Sequence, residues 1–199
     1  MTIRHSRTRP MSGLIGGILF SAFASSSWGQ QALSSHQHDW NQAKPPAELV
    51  QVVRESTARY RDVRLAASDG YGLQFGCVTG GEAGAMGMHF VNLPLVLDGQ
   101  LDATRPEIVI YEPLPNGKLK LIGADFLVFA ADWDKAHPGS PPQLMGQLFH
   151  LFEAPNRFGL PAFYTLHVWA WKDNPLGTFT NWNPNVSCDA FNPRTTPTR

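Results

Sequence analysis

The sequence predicts a single α+β domain in which one long N-terminal helix packs on a mainly antiparallel β-sheet, followed by a loop-rich C-terminal tail. Three observations lead to this fold class. One amphipathic helical pattern lies between Pro46 and Gly70, short apolar and β-branched runs follow it, and Asn116-Gly117 joins two of these runs as a hairpin turn would. No repeat or second core pattern occurs, so we expect one domain over residues 46–199.

The helix is predicted from apolar side chains that recur at steps of three and four residues, while Glu and Arg occupy the other faces. Pro46 lies near the first turn and Gly70 follows the last, as expected for the two ends of a helix. The residues on the apolar stripe are Leu49, Val52, Val53, Ser56, Tyr60, Val63 and Ala67.

Four later runs are rich in β-branched or aromatic residues and are predicted to be strands. They cover residues 86–93, 107–111, 119–129 and 162–171. The segment 131–147 combines Asp, Gly and Pro, which predicts a loop, with one helical turn around residues 144–148. In the tail, Asn-Pro recurs three times, each time shortly after an aromatic residue, which predicts turns that hold the tail across the sheet.

The first 29 residues have the pattern of a secretory signal peptide. Three arginines precede an apolar stretch at 11–24, which is too short to span a bilayer, and small residues at 27 and 29 predict cleavage before Gln30. An uncleaved anchor is the alternative. Residues 30–45 are polar and without period, so we expect a flexible mature N-terminus.

Composition excludes some classes of function. The 199 residues are 43% hydrophobic and carry 16 basic and 16 acidic side chains. Removal of the signal takes away Arg4, Arg7 and Arg9 and leaves 13 basic against 16 acidic residues. A mildly acidic chain is not expected to bind nucleic acid. From the predicted signal peptide we expect a periplasmic or extracellular protein with no transmembrane segment after cleavage.

The two cysteines, Cys77 and Cys188, are predicted to form a disulfide, because an exported protein folds in an oxidising compartment. A cysteine nucleophile or a thiolate metal site is the alternative, but neither cysteine has neighbouring partners in sequence that would support it.

The candidate chemistry is a metal site. His167 lies in a predicted strand where a period of two places it on one face with Thr165, Trp169 and Trp171, and His89 lies in another strand. Imidazoles on separate strands plus a carboxylate are the ligands of an open divalent-metal site, with zinc or copper as the ion. The predicted ligands are His89, Glu112 and His167, with His150 and Glu153 as substitutes and Trp169 and Trp171 as pocket walls.

Other functions stay open at this level. A lone histidine on a strand is more often a hydrogen-bonded core or surface residue than a ligand. The aromatic face also fits a non-catalytic module for a small apolar or sugar-like molecule, or a structural envelope protein. Whether the protein is an enzyme is not decided by the sequence, which lacks a serine-hydrolase elbow and an HExxH zinc motif.

Six segments of the chain form a recognisable set: residues 58–63, 84–92, 106–112, 155–161, 166–175 and 183–188. Together they resemble a group of exported bacterial proteins to which no activity is assigned. The resemblance covers about residues 47–188 and implies an exported bacterial protein, without transferring a catalytic residue.

Overall fold

The structure is a computed structural model that describes residues 47–192. In this part of the chain, six strands form one antiparallel sheet. The predicted signal peptide and flexible N-terminus lie outside the described residues. The strand order across the sheet is β1-β2-β3-β4-β8-β7, and β5 and β6 form a separate two-stranded ladder. The strands are β1 Gly72–Thr79, β2 Ala85–Val91, β3 Ile108–Pro113, β4 Leu119–Phe129, β5 Gln143–Leu144, β6 Gln147–Leu148, β7 His150–Phe152 and β8 Phe163–Val168.

Mixed helix and antiparallel sheet confirm the α+β class, but the prediction of one long helix is wrong. The chain forms α1, Glu48–Thr57, then a 3-10 turn, Ala58–Arg61, and then a separate helix α2, Val63–Ser68. The break lies at Asp62, whose backbone is extended and whose side chain accepts a hydrogen bond from the amide of Arg64. Asp62 therefore begins a new helix as an N-cap instead of continuing the first.

The four predicted strands are present with shifted ends, except for the strand at 119–129, whose bounds are as predicted. The loop predicted at 131–147 is wrong in part, because it contains most of α4, Ala130–Ala136. The helical turn predicted around residues 144–148 is also wrong, because this segment belongs to the β5–β6 ladder. A further short helix, α3 (Leu93–Asp98), and the edge strand β1 were not predicted. The Asn116-Gly117 turn joins β3 to β4, and Gly117 has a φ of 76°, which favours glycine.

The two faces of the sheet bury different cores. One face packs against the helices: Leu49, Val50 and Val53 of α1 lie against Phe126 and other residues of β4 and β8. The opposite face is covered by the loop before β8 and by the C-terminal tail, with Ile108, Leu127, Phe163, Trp169 and Val186 in its core. The histidines of the candidate site lie on this second face.

The tail is fixed to the sheet covalently and by close backbone approach. Cys77 and Cys188 form a disulfide, as predicted, with a Cα–Cα distance of 5.7 Å. Asn183 pairs with Ala85 in an isolated bridge, and a side chain on Gly84 would collide with the backbone of Asn183. Among the described residues, no helix combines the length and the apolar character needed to cross a membrane.

Candidate metal centre

Three ligand-type side chains from three strands meet on the sheet face opposite the helices: His89 of β2, Asp125 of β4 and His167 of β8. The strand register brings them together. Asp125 lies directly opposite His167 on one side and opposite Ile108 of β3 on the other, while His89 faces Ile110. Since residues opposite each other share a face, the three side chains project into the same space.

The three side chains are close together and buried. Each offers one ligand atom such that all three atoms lie within 4.8 Å of one another. The ring centroids of His89 and His167 are 5.4 Å apart, and Nδ1 of His167 is 3.3 Å from Oδ2 of Asp125. His89 is 6% exposed, Asp125 3% and His167 2%.

Hydrogen bonding is unevenly distributed over the cluster. Thr165 donates from its hydroxyl to Oδ1 of Asp125 at 2.5 Å, which leaves Oδ2 facing the histidines. Nδ1 of His89 and both ring nitrogens of His167 have no hydrogen-bond partner. Buried polar atoms are nearly always hydrogen-bonded in native proteins, so three such nitrogens in one place require an explanation.

Burial also sets the charges. Desolvation, with the neighbouring His167 as a second cause, lowers the pKa of His89 to about 4. Desolvation and the exposed His150 lower the pKa of His167 to about 3. Desolvation raises the pKa of Asp125 to about 6, against the opposing effects of His89 and of the Thr165 hydrogen bond. At pH 7 the cluster therefore contains one carboxylate and two neutral imidazoles, the protonation states that metal ligands require.

The dimensions are close to those of a metal site. Metal–nitrogen and metal–oxygen bonds of about 2.0–2.2 Å place two ligands of one ion roughly 3.4 Å apart in a tetrahedron. The ligand atoms here span up to 4.8 Å, so side-chain movements of about 1 Å would close the site. A buried His89/Asp125/His167 group of this kind could hold a metal ion.

The structure brings together two of the three predicted ligands and separates the third. Glu112 lies four residues beyond Ile108 on β3, which is about 13 Å along an extended strand. Its carboxylate accepts two hydrogen bonds of 2.7 Å from Lys172 and one of 3.3 Å from the amide of Ser187. Glu112 thus fixes the tail to the end of β3 and is not a member of the cluster.

The two substitutes and the two tryptophans also lie outside the ligand group. His150 and Glu153 are exposed, on β7 and in the loop that follows it. Trp169 is buried beside His167, with ring centroids 5.7 Å apart, and its Nε1 donates to a backbone carbonyl. Trp171 packs in the helix-side core, where Arg61 covers its ring, because β8 ends at Val168 and the alternation of faces ends with it.

Asp125 is the candidate ligand that sequence reasoning missed. It is the one acidic residue in the otherwise apolar second half of β4, and a carboxylate in a strand buried on both faces needs a partner. That signal was present in the sequence, and it would have placed a carboxylate in the site.

Comparison with known proteins assigns no family to this chain: no family model, no curated protein and no solved structure matches it.

Proposed function

We propose that the protein binds one divalent transition-metal ion through His89, Asp125 and His167 and keeps at least one coordination position open. One observation carries this proposal: three buried ligand-type side chains converge from three strands, and three of the four ring nitrogens have no hydrogen-bond partner. A metal ion would bind one nitrogen of each imidazole and would neutralise the buried carboxylate.

The chemical types of the three ligands limit which metal ions fit the site. Two imidazole nitrogens and one carboxylate oxygen occur in zinc hydrolases and in non-haem iron sites, and three protein ligands leave room for water or a substrate. Thr165 would orient Asp125, because its hydroxyl already holds the oxygen that faces away from the histidines. Zn(II) is the first ion to test, and Cu(II), the other ion predicted from the sequence, and Fe(II) complete the panel.

We also propose that the protein is exported and binds its ion outside the cytoplasm. The Cys77–Cys188 disulfide is compatible with an exported protein, and so is the lack of a membrane-spanning helix among residues 47–192. The predicted signal peptide and the resemblance to exported bacterial proteins support the same location. The ion would then be acquired outside the cytoplasm, in the compartment where the disulfide forms.

The direct test is metal binding by untagged protein. We expect one equivalent of zinc after reconstitution, measured by elemental analysis and by isothermal titration. Zinc at one hundred times its Kd should stabilise the fold by about 2.7 kcal/mol. Asp125→Asn, which preserves the size of the side chain, should lose both effects.

Two control variants separate this site from adventitious binding. Glu112→Gln removes the predicted ligand that the structure places elsewhere, and His150→Ala removes an exposed histidine on the same sheet face; both should bind zinc like the wild type. Absence of stoichiometric metal from the wild type with every ion of the panel would refute the proposal, provided that circular dichroism shows the protein folded.

The pH dependence of zinc affinity gives a second test. Metal ions compete with protons for their ligands, and the pKa values of about 4 and 3 for His89 and His167 leave both imidazoles free above pH 5. Asp125, with a pKa of about 6, must lose its proton, so affinity should fall as pH drops below 6.

A further inference from the structure

A small cavity of about 40 Å³ adjoins the three ligand-type side chains. Four polar residues line it: His89, Asp125, Thr165 and His167. The inner walls are apolar and buried, and they are formed by Met86, Val91, Ile108, Leu127 and Phe163. A molecule in the cavity therefore contacts both the polar cluster and the apolar side chains.

The outer wall of the cavity is a set of less buried apolar side chains, with Phe75 the most exposed at 50%. Phe75 contacts Phe158 edge to face, with ring centroids 5.5 Å apart. Phe152 and Leu160 complete this outer layer. The path from solvent to the cluster therefore passes between aromatic and aliphatic side chains.

The backbone at Phe75 is strained in a way that places its ring over the cavity. Its φ of 64° is in the left-handed region, which a bulky side chain rarely adopts, and Gly76 follows with a φ of 68°. The pairing of β1 with β2 is interrupted at this point, between Gln74 and Cys77. Such strain persists only where the surrounding structure compensates for it, and it often marks a functional position.

The loop that carries the opposite part of the outer wall is held by one side chain. Asn156 donates to the carbonyls of Glu153 and Leu160 and accepts from the amides of Phe158 and Leu160. Four hydrogen bonds to the backbone fix the loop, so Phe158 and Leu160 keep their positions when the cavity is empty.

We propose that this cavity binds a compact apolar molecule of the size of dioxygen or xenon, in contact with the metal centre. The proposal deepens the proposed function, because the occupant would lie beside the open coordination position. A polar molecule would find hydrogen-bond partners only in the cluster, and any further polar group would face the apolar walls unpaired, which is costly. The size limit follows from the volume: 40 Å³ is far below the roughly 150 Å³ of an apolar cavity that holds benzene.

The test is methyl NMR of the whole protein under xenon pressure, with and without zinc. We expect shifts of the Met86, Ile108 and Leu127 methyl resonances, which line the cavity, and none for Met88, which packs on the helix side. Dioxygen, which is paramagnetic, should broaden the methyl resonances of the same three residues. Absence of these changes in both forms at saturating xenon would overturn the proposal.

Benzene and two variants test the size limit. Benzene should leave the wild-type resonances unchanged and should bind to Phe158→Ala, which opens the outer wall without changing the backbone. Phe179→Ala, which removes a ring on the helix side, is the matched control and should not admit benzene near Met86. Benzene binding in the wild type, or equal binding in the Phe179 control, would contradict the size limit.

The two proposals can fail separately. Zinc binding at one equivalent without a xenon effect leaves the metal centre standing and refutes the apolar occupant. Xenon shifts in a protein that binds no ion support the apolar cavity and refute the metal centre.

Discussion

Glu107, the residue before β3, is the most buried carboxyl among the described residues, with 1% exposure, and it should make the fold less stable as pH rises. Its Oε2 accepts a hydrogen bond from the amide of Leu127 at 3.1 Å. Desolvation nevertheless dominates and raises its pKa from 4.5 to about 8. Glu107→Gln tests this, because glutamine resembles the protonated carboxyl and can accept the same hydrogen bond.

The direction and the magnitude of this change in unfolding free energy follow from proton linkage. Between pH 4.5 and 8 the folded protein keeps the Glu107 proton while the unfolded chain has lost it, so the wild type loses stability as pH rises through this window. A difference of 3.5 pH units at about 1.4 kcal/mol each gives an upper value of about 5 kcal/mol. Glu107→Gln should lack this loss.

The assay is urea unfolding followed by tryptophan fluorescence at several pH values, with a chelator present to remove metal linkage. The unfolding free energy of Glu107→Gln minus that of the wild type should increase steadily from pH 4.5 to 8. Asp125 also titrates in this window, and its charge is one of the causes of the raised pKa of Glu107, so its titration contributes to the difference as well. Glu153→Gln, at an exposed glutamate, is the matched control. A difference within about 1 kcal/mol across the window for Glu107→Gln would refute the reasoning.

Three further predictions concern stability. Reduction of Cys77–Cys188, separated by 111 residues, should lower the unfolding free energy by about 5 kcal/mol in the chain-entropy description; a loss below 1 kcal/mol in matched oxidised and reduced urea curves would contradict it. Gly87→Ala should cost at least about 2 kcal/mol, because φ is 96° and a Cβ would lie 2.7 Å from a carbonyl oxygen; an unchanged Tm would show that β2 relaxes there. Lys172→Met should lower the unfolding free energy by roughly 3 kcal/mol, because it leaves the Glu112 carboxylate without its cation; the double variant Lys172→Met/Glu112→Leu should regain part of this loss. Equal urea curves for Lys172→Met and the wild type would show that the pair contributes nothing to stability.

Local pattern predicted the parts of the fold that depend on neighbouring residues. The Asn116-Gly117 hairpin and the strand at 119–129 were correct because turn chemistry and an apolar run are properties of short segments. The strand β1 was missed because Phe75-Gly76 interrupts its alternation with a bulge. The long helix was wrong because the capping tendency of Asp62 outweighs a continuous apolar stripe.

For the candidate site, local pattern predicted two of the ligands but not which side chains lie close together. His89 and His167 were predicted, and their shared face follows from strand period, but their proximity depends on the order β2-β3-β4-β8, which no local pattern encodes. The strand period predicts Glu112 as a ligand, because it places this residue at the end of β3 on the same face as Ile108 and Ile110. Asp125 lies directly opposite His167, and only strand pairing shows that it, and not Glu112, is the neighbour.

The origin of the three ligands on three strands has a consequence for assembly. No short peptide from this chain contains more than one of His89, Asp125 and His167, so the unfolded chain offers an ion only isolated, weak donors. A slip of one residue in any of the three strands would turn its ligand to the helix side of the sheet. Tight metal binding would therefore report that all three strands are correctly aligned, and metal uptake could serve as a checkpoint for completed folding.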